Sequence, residues 1–394
     1  MALGALIGAY QEDESGGLRA LLPLSGRTLV EYQVRCAAAA GASPIVVLVE
    51  RVPVALQDAV ESLRNEGLVV TPVSDGLEAA SRFEAGALVL LVGDGIVPPA
   101  DLLAELAESG EPAVVTVPDD ERHQGFERID AESRWGGLAV IEARLLGSTA
   151  AMLGDWDLPS TLLRRTLQDG ALLVPASDLR EPLLAEEAES LHDFDRRLLV
   201  ASRGARRDWA SRFVLPIVED LVTERLLETR VKPEVLIWVA LLLTLAGAFA
   251  FTRGWLGAGL ALLVLATPLD LAARRLSTLR LRPLPARLLS RLLLWPATGI
   301  ALVSLGWWTA VTGAGWWSLV ASLAAAAFAE AARVERGHQE VPGQVLLFSR
   351  RNAIIAAIPF AIAGAWAAYL AAAALYAAIS FFYLQHIRHR IVSD

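Results

Sequence analysis

Residues 87–95 read ALVLLVGDG, an apolar run stopped by Gly93, Asp94 and Gly95. A continuous run of this kind suits a strand buried on both faces, as in a parallel sheet covered by helices. Around it, short apolar runs alternate with helical patterns: 2–9 then 29–40, 44–49 then 55–65, 69–72, 87–92 then 100–108, and 112–117. The rhythm predicts an α/β, Rossmann-like domain over residues 1–200. Such sheets bind ligands at the carboxyl ends of their strands, where Asp94 lies. A carboxylate on that turn is placed to ligate a magnesium ion carrying a nucleotide's phosphates, which makes Asp94 a catalytic and metal-ligating candidate. The plainer alternative is a turn residue between strand and helix.

Beyond residue 200 the chain changes character. The net charge of −9 divides into −18 before that point (15 basic, 33 acidic) and +9 after it (20 basic, 11 acidic). The acidic half argues against a nucleic-acid partner, which requires clustered Lys and Arg. The lone Cys36 excludes an internal disulfide, and no Cys/His spacing suggests zinc. The first residues lack a basic region and run into Glu12, Asp13 and Glu14, so no signal peptide is expected and the first half is placed in the cytoplasm.

In the second half, Trp209, Phe213, Ile217 and Leu221 recur every four residues, with Arg206, Arg207 and Arg212 elsewhere, predicting an interfacial amphipathic helix over 201–232. Charge-free runs follow at 235–252, 254–269, 292–329 and 353–385. The last two are too long for single spans and must fold back, giving six membrane helices over 233–394. The expected breaks are 312–315, which reads Thr-Gly-Ala-Gly, and 367–370. Arg274, Arg275, Arg280, Arg282, Arg287 and Arg291 fill one loop and Arg333, Arg336, Arg350 and Arg351 another, which places both termini on the cytoplasmic face of the plasma (inner) membrane. The tryptophans at 307–308 and 316–317 read as interfacial anchors. His123 and His192 read as surface residues, and His338 and His386 are too dispersed to argue a metal site.

The first half resembles the sugar-nucleotide type nucleotidyltransferases, in particular the inositol-phosphate cytidylyltransferase-like domains fused to membrane phosphotransferases. The resemblance rests on ALIGA at 5–9, LRALLPLSGRTLVEYQ at 18–33, the strand end LLVGDG, and Asp193-Phe194-Asp195. It implies a loop after the first strand that cradles a triphosphate, with Gly16, Gly17 and Arg19 as nucleotide-binding candidates, and Asp94, Asp193 and Asp195 as candidate ligands of magnesium or manganese. Asp193 read blandly caps a helix. The loop itself, 10–17, contains Glu12, Asp13 and Glu14, three acids that repel phosphate, and Arg19 stands where the family has lysine.

Residues 208–390 resemble the CDP-alcohol phosphotransferase family through Asp208-Trp209, Ser211-Arg212, Val231-Lys232-Pro233, six helices, and Asp270 followed by Arg274-Arg275. The resemblance implies a metal-binding catalytic Asp270, phosphate contacts from Arg274 and Arg275, a lipid acceptor and a homodimer. That family's signature carries four carboxylates; laid over this sequence with Asp270 as the second, the other three fall on Thr267, Leu288 and Leu292. Between Glu234 and Glu330 the only acid is Asp270. One carboxylate cannot offset two divalent cations. Asp270 read structurally pairs with Arg274, four residues on.

Two functions follow as expectations. One is a bifunctional membrane transferase that uses CTP and a CDP-alcohol, with an impaired phosphotransfer site. The other is an inactive scaffold or regulatory partner that retains nucleotide or lipid binding. A channel or transporter is disfavoured because the helices lack a series of polar residues.

Overall fold

The computed structural model describes residues 2–153, 158–177, 180–203, 208–227, 229, 231–281, 288–336 and 341–393. Arg206, Arg207, Arg282, Arg287 and His338 therefore lie outside the described residues. The chain forms two compact units, Met1–Leu199 and Val200–Asp394.

In chain order the strands are β1 (Leu3–Gly8), β2 (Pro23–Leu24), β3 (Arg27–Thr28), β4 (Ile45–Leu48), β5 (Val70–Val73), β6 (Leu88–Val92), β7 (Ile96–Val97), β8 (Ala113–Pro118), β9 (Ser133–Glu142), β10 (Leu172–Pro175) and β11 (Leu183–Leu184). Seven of them make one sheet in the order β10-β8-β9-β6-β1-β4-β5. β1 runs parallel to both β4 and β6, while β9 lies antiparallel between β6 and β8. The sheet is thus mixed, and β9 is a strand that the alternation of apolar runs did not reveal. Its polar start and its central Gly136-Gly137 pair break the apolar run, and Gly137 adopts φ 75° where a Cβ would strike the Ile96 side chain.

Leu6, Val46, Val89, Leu91, Val114 and Ile141 are buried in one core with Leu146 and Leu162 from the flanking helices. Each such side chain contributes about 1.5–3 kcal/mol by leaving water. The helices Leu29–Ala39, Val54–Asn65 and Ala100–Glu108 occupy the segments the apolar pattern assigned to them. The first starts on a capping box, with the Thr28 N–H donating to Glu31 Oε2 at 3.0 Å. From β1 the chain builds β4 and β5 on one side, then crosses to β6 on the other. The loops leaving β1 and β6 therefore diverge at a topological switch point, the usual ligand crevice of such sheets.

Two local results bear on chemistry. His123 is buried at 4% exposure, contrary to the surface position expected of it. Asp120 caps the short helix Glu121–His123 and turns the ring inward, where Nδ1 meets Asp120 Oδ1 at 2.7 Å and the ring packs on Phe126. Cys36 is fully buried, which pushes its thiol up to about 12. At pH 8 the thiolate, the reactive form, is then about 1 part in 10⁴. Native protein is expected to resist iodoacetamide at pH 8 and to react only after denaturation, as mass spectrometry of the Cys36 peptide will read out.

The second unit is helical. Among the described residues, five helices are long and apolar enough to cross a membrane: Pro233–Thr252, Leu256–Leu279, Ser290–Ala314, Trp317–Arg336 and Trp366–Arg388. The sixth, Arg350–Ile362, has 13 residues, about 20 Å at 1.5 Å per residue, and falls short of a hydrocarbon core of about 30 Å. The 38-residue run breaks where the glycines predicted, with Gly313 at φ 114° and Gly315 at φ 88°. The 33-residue run breaks a little earlier than expected, after Ile362, where Gly364 takes φ 66° and Trp366 starts the last helix. Leu263, Leu305, Ala325, Ile354 and Leu370 share the central core of the bundle. Ahead of the spans, helix Pro216–Leu227 exposes Ile217 and Leu221 while burying Glu219 and Thr223. Phe213 is 70% exposed just before it, whereas Trp209, the first residue of the predicted stripe, packs with Ala210, Leu215, Leu271 and Ile355, so only Phe213, Ile217 and Leu221 of that stripe face outward.

Candidate functional site

The crevice of the first unit is built by the turn after β6 and the loop after β1. Gly8 ends β1 so close to that turn that a Cβ would meet the Asp94 N at 3.1 Å. This approach sets Asp94 beneath the loop, where its Oδ2 accepts from the backbone N–H groups of Tyr10 at 2.5 Å and Gln11 at 2.6 Å. Its Oδ1 is buried without a hydrogen-bond partner. Burial raises the Asp94 carboxyl above the ordinary range, outweighing the N–H groups of Gln11 and Tyr10, then Arg19 and the Gly95 N–H, which act the other way.

Further along the loop, Asp13 Oδ1 accepts from the Ser15 N–H at 2.9 Å, the Ser15 hydroxyl at 2.6 Å and the Gly17 N–H at 2.9 Å. The Ser15 hydroxyl and then the Gly17 N–H hold Asp13 below the usual carboxylate range. Gly16, at φ 79°, supplies the left-handed turn that brings these donors round. Arg19 donates to Gln11 Oε1 at 2.8 Å and to the Glu12 carbonyl at 3.3 Å, with Glu186 at 3.8 Å. Asp94, Gly16, Gly17 and Arg19 therefore belong to one crevice. Four backbone amides that could face an anion, those of Tyr10, Gln11, Ser15 and Gly17, are held by two of the chain's own carboxylates.

Asp193 and Asp195 lie on helix Ala188–Ala201. Asp193 is exposed, whereas Asp195 Oδ1 accepts from the Ser25 N–H at 2.9 Å and its hydroxyl at 2.5 Å. Ser25 sits at φ 50°, so these bonds support a strained turn. Asp195→Ala is expected to cost about 1–2 kcal/mol locally and to speed Ser25 amide exchange about 5–30-fold by mass spectrometry.

In the second unit, Asp270 is 1% exposed on helix Leu256–Leu279. Its Oδ1 accepts from the Ser290 hydroxyl at 2.6 Å and Arg274 Nε at 3.2 Å, and its Oδ2 from Arg351 Nη2 at 2.8 Å with Arg350 Nη2 at 3.5 Å. Arg351 also donates through Nη1 to Asp208 Oδ2 at 2.9 Å, so it bridges two carboxylates that are distant in sequence. Arg275, one residue after Arg274, points elsewhere: it donates to Ser202 Oγ at 2.9 Å and Asp220 Oδ1 at 2.5 Å. The proposed phosphate pair thus diverges, as a turn of about 100° per residue requires. Glu330 does not join Asp270 but pairs with Arg333. Ser290, Arg350 and Arg351 were not singled out as site residues, although Arg350-Arg351 ahead of a long charge-free run was the available signal.

Neither centre fits a divalent ion bound by the protein. Among the described residues no group of three or more Asp, Glu, His or Cys side chains converges. Both oxygens of Asp270 face guanidinium groups, which repel a cation. At Asp94 one carboxylate oxygen is available, and the amides that would hold a metal-carrying nucleotide are engaged.

The first unit is an α/β domain built on a mixed seven-stranded sheet. Residues 15–170 match the MobA-like NTP transferase domain family. That match spans about two fifths of the chain and ends before the long apolar helices begin. No curated protein matches the chain. Among solved structures, a candidate glucose-1-phosphate thymidylyltransferase from Bacillus anthracis, crystallised with sucrose, is 12% identical, with a TM-score of 0.41 over 50% of this chain and 95% of that one.

Proposed function

We propose that this chain is a membrane-spanning scaffold or regulatory protein that keeps a nucleotidyltransferase-like domain and a phosphotransferase-like bundle while both transfer reactions are silent. The observation that carries the reading is Asp270, whose oxygens are taken up by Ser290 and a set of arginines. A carboxylate paired in this way supplies negative charge to the protein itself rather than to a cation. The arginine-rich segments 274–291 and 333–351 support placing these two loops, and the N-terminus that lies two spans before the first of them, on the cytoplasmic side. Purified protein is expected to release no CMP from CDP-alcohols in magnesium or manganese, with an excess of alcohol acceptors. Metal-dependent CMP release that disappears in Asp270→Ala would overturn the reading.

One observation favours a second reading, nucleotidyl transfer from CTP in the first unit. Asp94 Oδ1 is buried and unpartnered beside Arg19, as a ligand awaiting a nucleotide-borne cation would be. Under that reading CTP and magnesium bind together, and Asp94→Ala abolishes binding. Under the silent reading the same change has the opposite sign.

A further inference from the structure

Within the second unit the helices line a partly open cavity of about 330 Å³. Its walls are apolar, with Leu263, Leu302, Leu305, Ile354 and Trp366 among the lining side chains, and Arg350 lines it as well. Arg350 is the N-terminal residue of helix Arg350–Ile362, fixed there by Ser349, whose hydroxyl accepts from the Asn352 N–H. Its side chain is 8% exposed, yet Nη1 and Nη2 make no hydrogen bond; the nearest carboxylate oxygen, on Asp270, stands at 3.5 Å. A buried guanidinium with open donors is costly unless an acceptor completes it.

The surrounding charge points the same way. Among the described residues, Arg274, Arg350 and Arg351 pair with Asp208 and Asp270, three cations against two anions. Glu330 and Arg333, also on the cavity wall, pair with each other and leave that balance unchanged. One further negative charge would close it. The space beside Arg350 is apolar, and its volume lies at the small end of ligand pockets, about 300–1,000 Å³.

We infer that this cavity binds an anionic amphiphile, a phosphate head on Arg350 with the start of its hydrocarbon chain between the helices. A free phosphate ion shares the head-group chemistry but leaves the apolar walls unused. The site requires neither a metal nor turnover, and it stands whether or not the transfer reactions are silent.

The test is thermal unfolding of the full chain in neutral detergent with dioctanoyl phosphatidic acid, dioctanoylglycerol or inorganic phosphate at equal concentration. Phosphatidic acid is expected to raise Tm in a saturable way, and the other two to leave it unchanged. Arg350→Gln is expected to weaken the response at least tenfold, and Leu302→Trp, which fills the cavity, to abolish it without lowering the lipid-free Tm by more than a few degrees. An equal response to inorganic phosphate would assign the site to the free ion and overturn the lipid. An equal response to dioctanoylglycerol, or full phosphatidic acid affinity in Leu302→Trp, would overturn the site. If Arg350→Gln does not fold, the cavity-filling variant and the three probes decide the outcome alone.

Discussion

Asp270→Ala is expected to destabilise the helical second unit by about 3–5 kcal/mol, the cost of leaving buried charges without their counter-ion. The change removes the charged acceptor of Arg274, which keeps only the Ser290 hydroxyl, and one of the two carboxylates of Arg351, which keeps Asp208, and it leaves the Ser290 hydroxyl without an acceptor. For a unit of this size that corresponds to a fall in Tm on the order of 10 °C, measurable by thermal unfolding in detergent. Arg351→Ala is expected to do nearly as much, because it exposes both Asp208 and Asp270 to an apolar interior without their shared partner. Combining the two changes is expected to cost clearly less than the sum, since the second removes a charge that the first had orphaned. Were Asp270 a metal ligand in a structure built around the cation, Asp270→Ala would instead be near neutral in chelator and destabilising only with metal present.

The second large effect concerns the crevice after β1 and β6. Titration of the wild-type protein with CTP in magnesium is expected to give no measurable binding, because Asp94 and Asp13 occupy the amides of Tyr10, Gln11, Ser15 and Gly17. Asp94→Ala frees two of those donors and removes a negative charge from the path of the triphosphate. Nucleotide affinity is expected to rise at least tenfold, about 1.4 kcal/mol or more, by isothermal titration. Asp13→Ala is expected to add to it, and Arg19→Ala to reverse the gain by removing the positive charge. A wild-type complex that Asp94→Ala destroys would show instead that the carboxylate serves a nucleotide-borne metal ion.

The strand run 87–92 and the turn that carries Asp94 were legible because a buried parallel strand leaves an unbroken apolar word ending on small residues. The helix break at 312–315 was legible for a related reason: glycines in a charge-free run are where positive φ is available at no steric cost. β9 was not legible, since its central glycines and polar beginning disguise it, and its antiparallel place in the sheet is fixed by neighbours on both sides. Nor was the inward turn of His123, which depends on the cap from Asp120 and on Phe126 offering a face to the ring.

The candidate sites divide in the same way. Sequence spacing showed the shortage of acids around Asp270 and the i, i+4 pairing with Arg274, which the structure contains at 3.2 Å. It read Arg350 and Arg351 as topological charges, because nothing in a linear pattern brings residue 351 to residues 208 and 270. Only the packing of the helices against one another makes that pairing. Likewise the acids of the loop after β1 read as repulsive to phosphate, while their bonding to the loop's own amides required the turn at Gly16 to be seen.

Manganese binding, followed by electron paramagnetic resonance on the full chain in detergent with and without CTP, tests most directly whether these aspartates serve the protein or a cation. A free-manganese signal no smaller than that of protein-free controls, with CTP or without it, at sub-millimolar manganese is the expected result, in wild type as in Asp94→Ala and Asp270→Ala. Stoichiometric uptake by the wild type that either substitution removes would contradict the account.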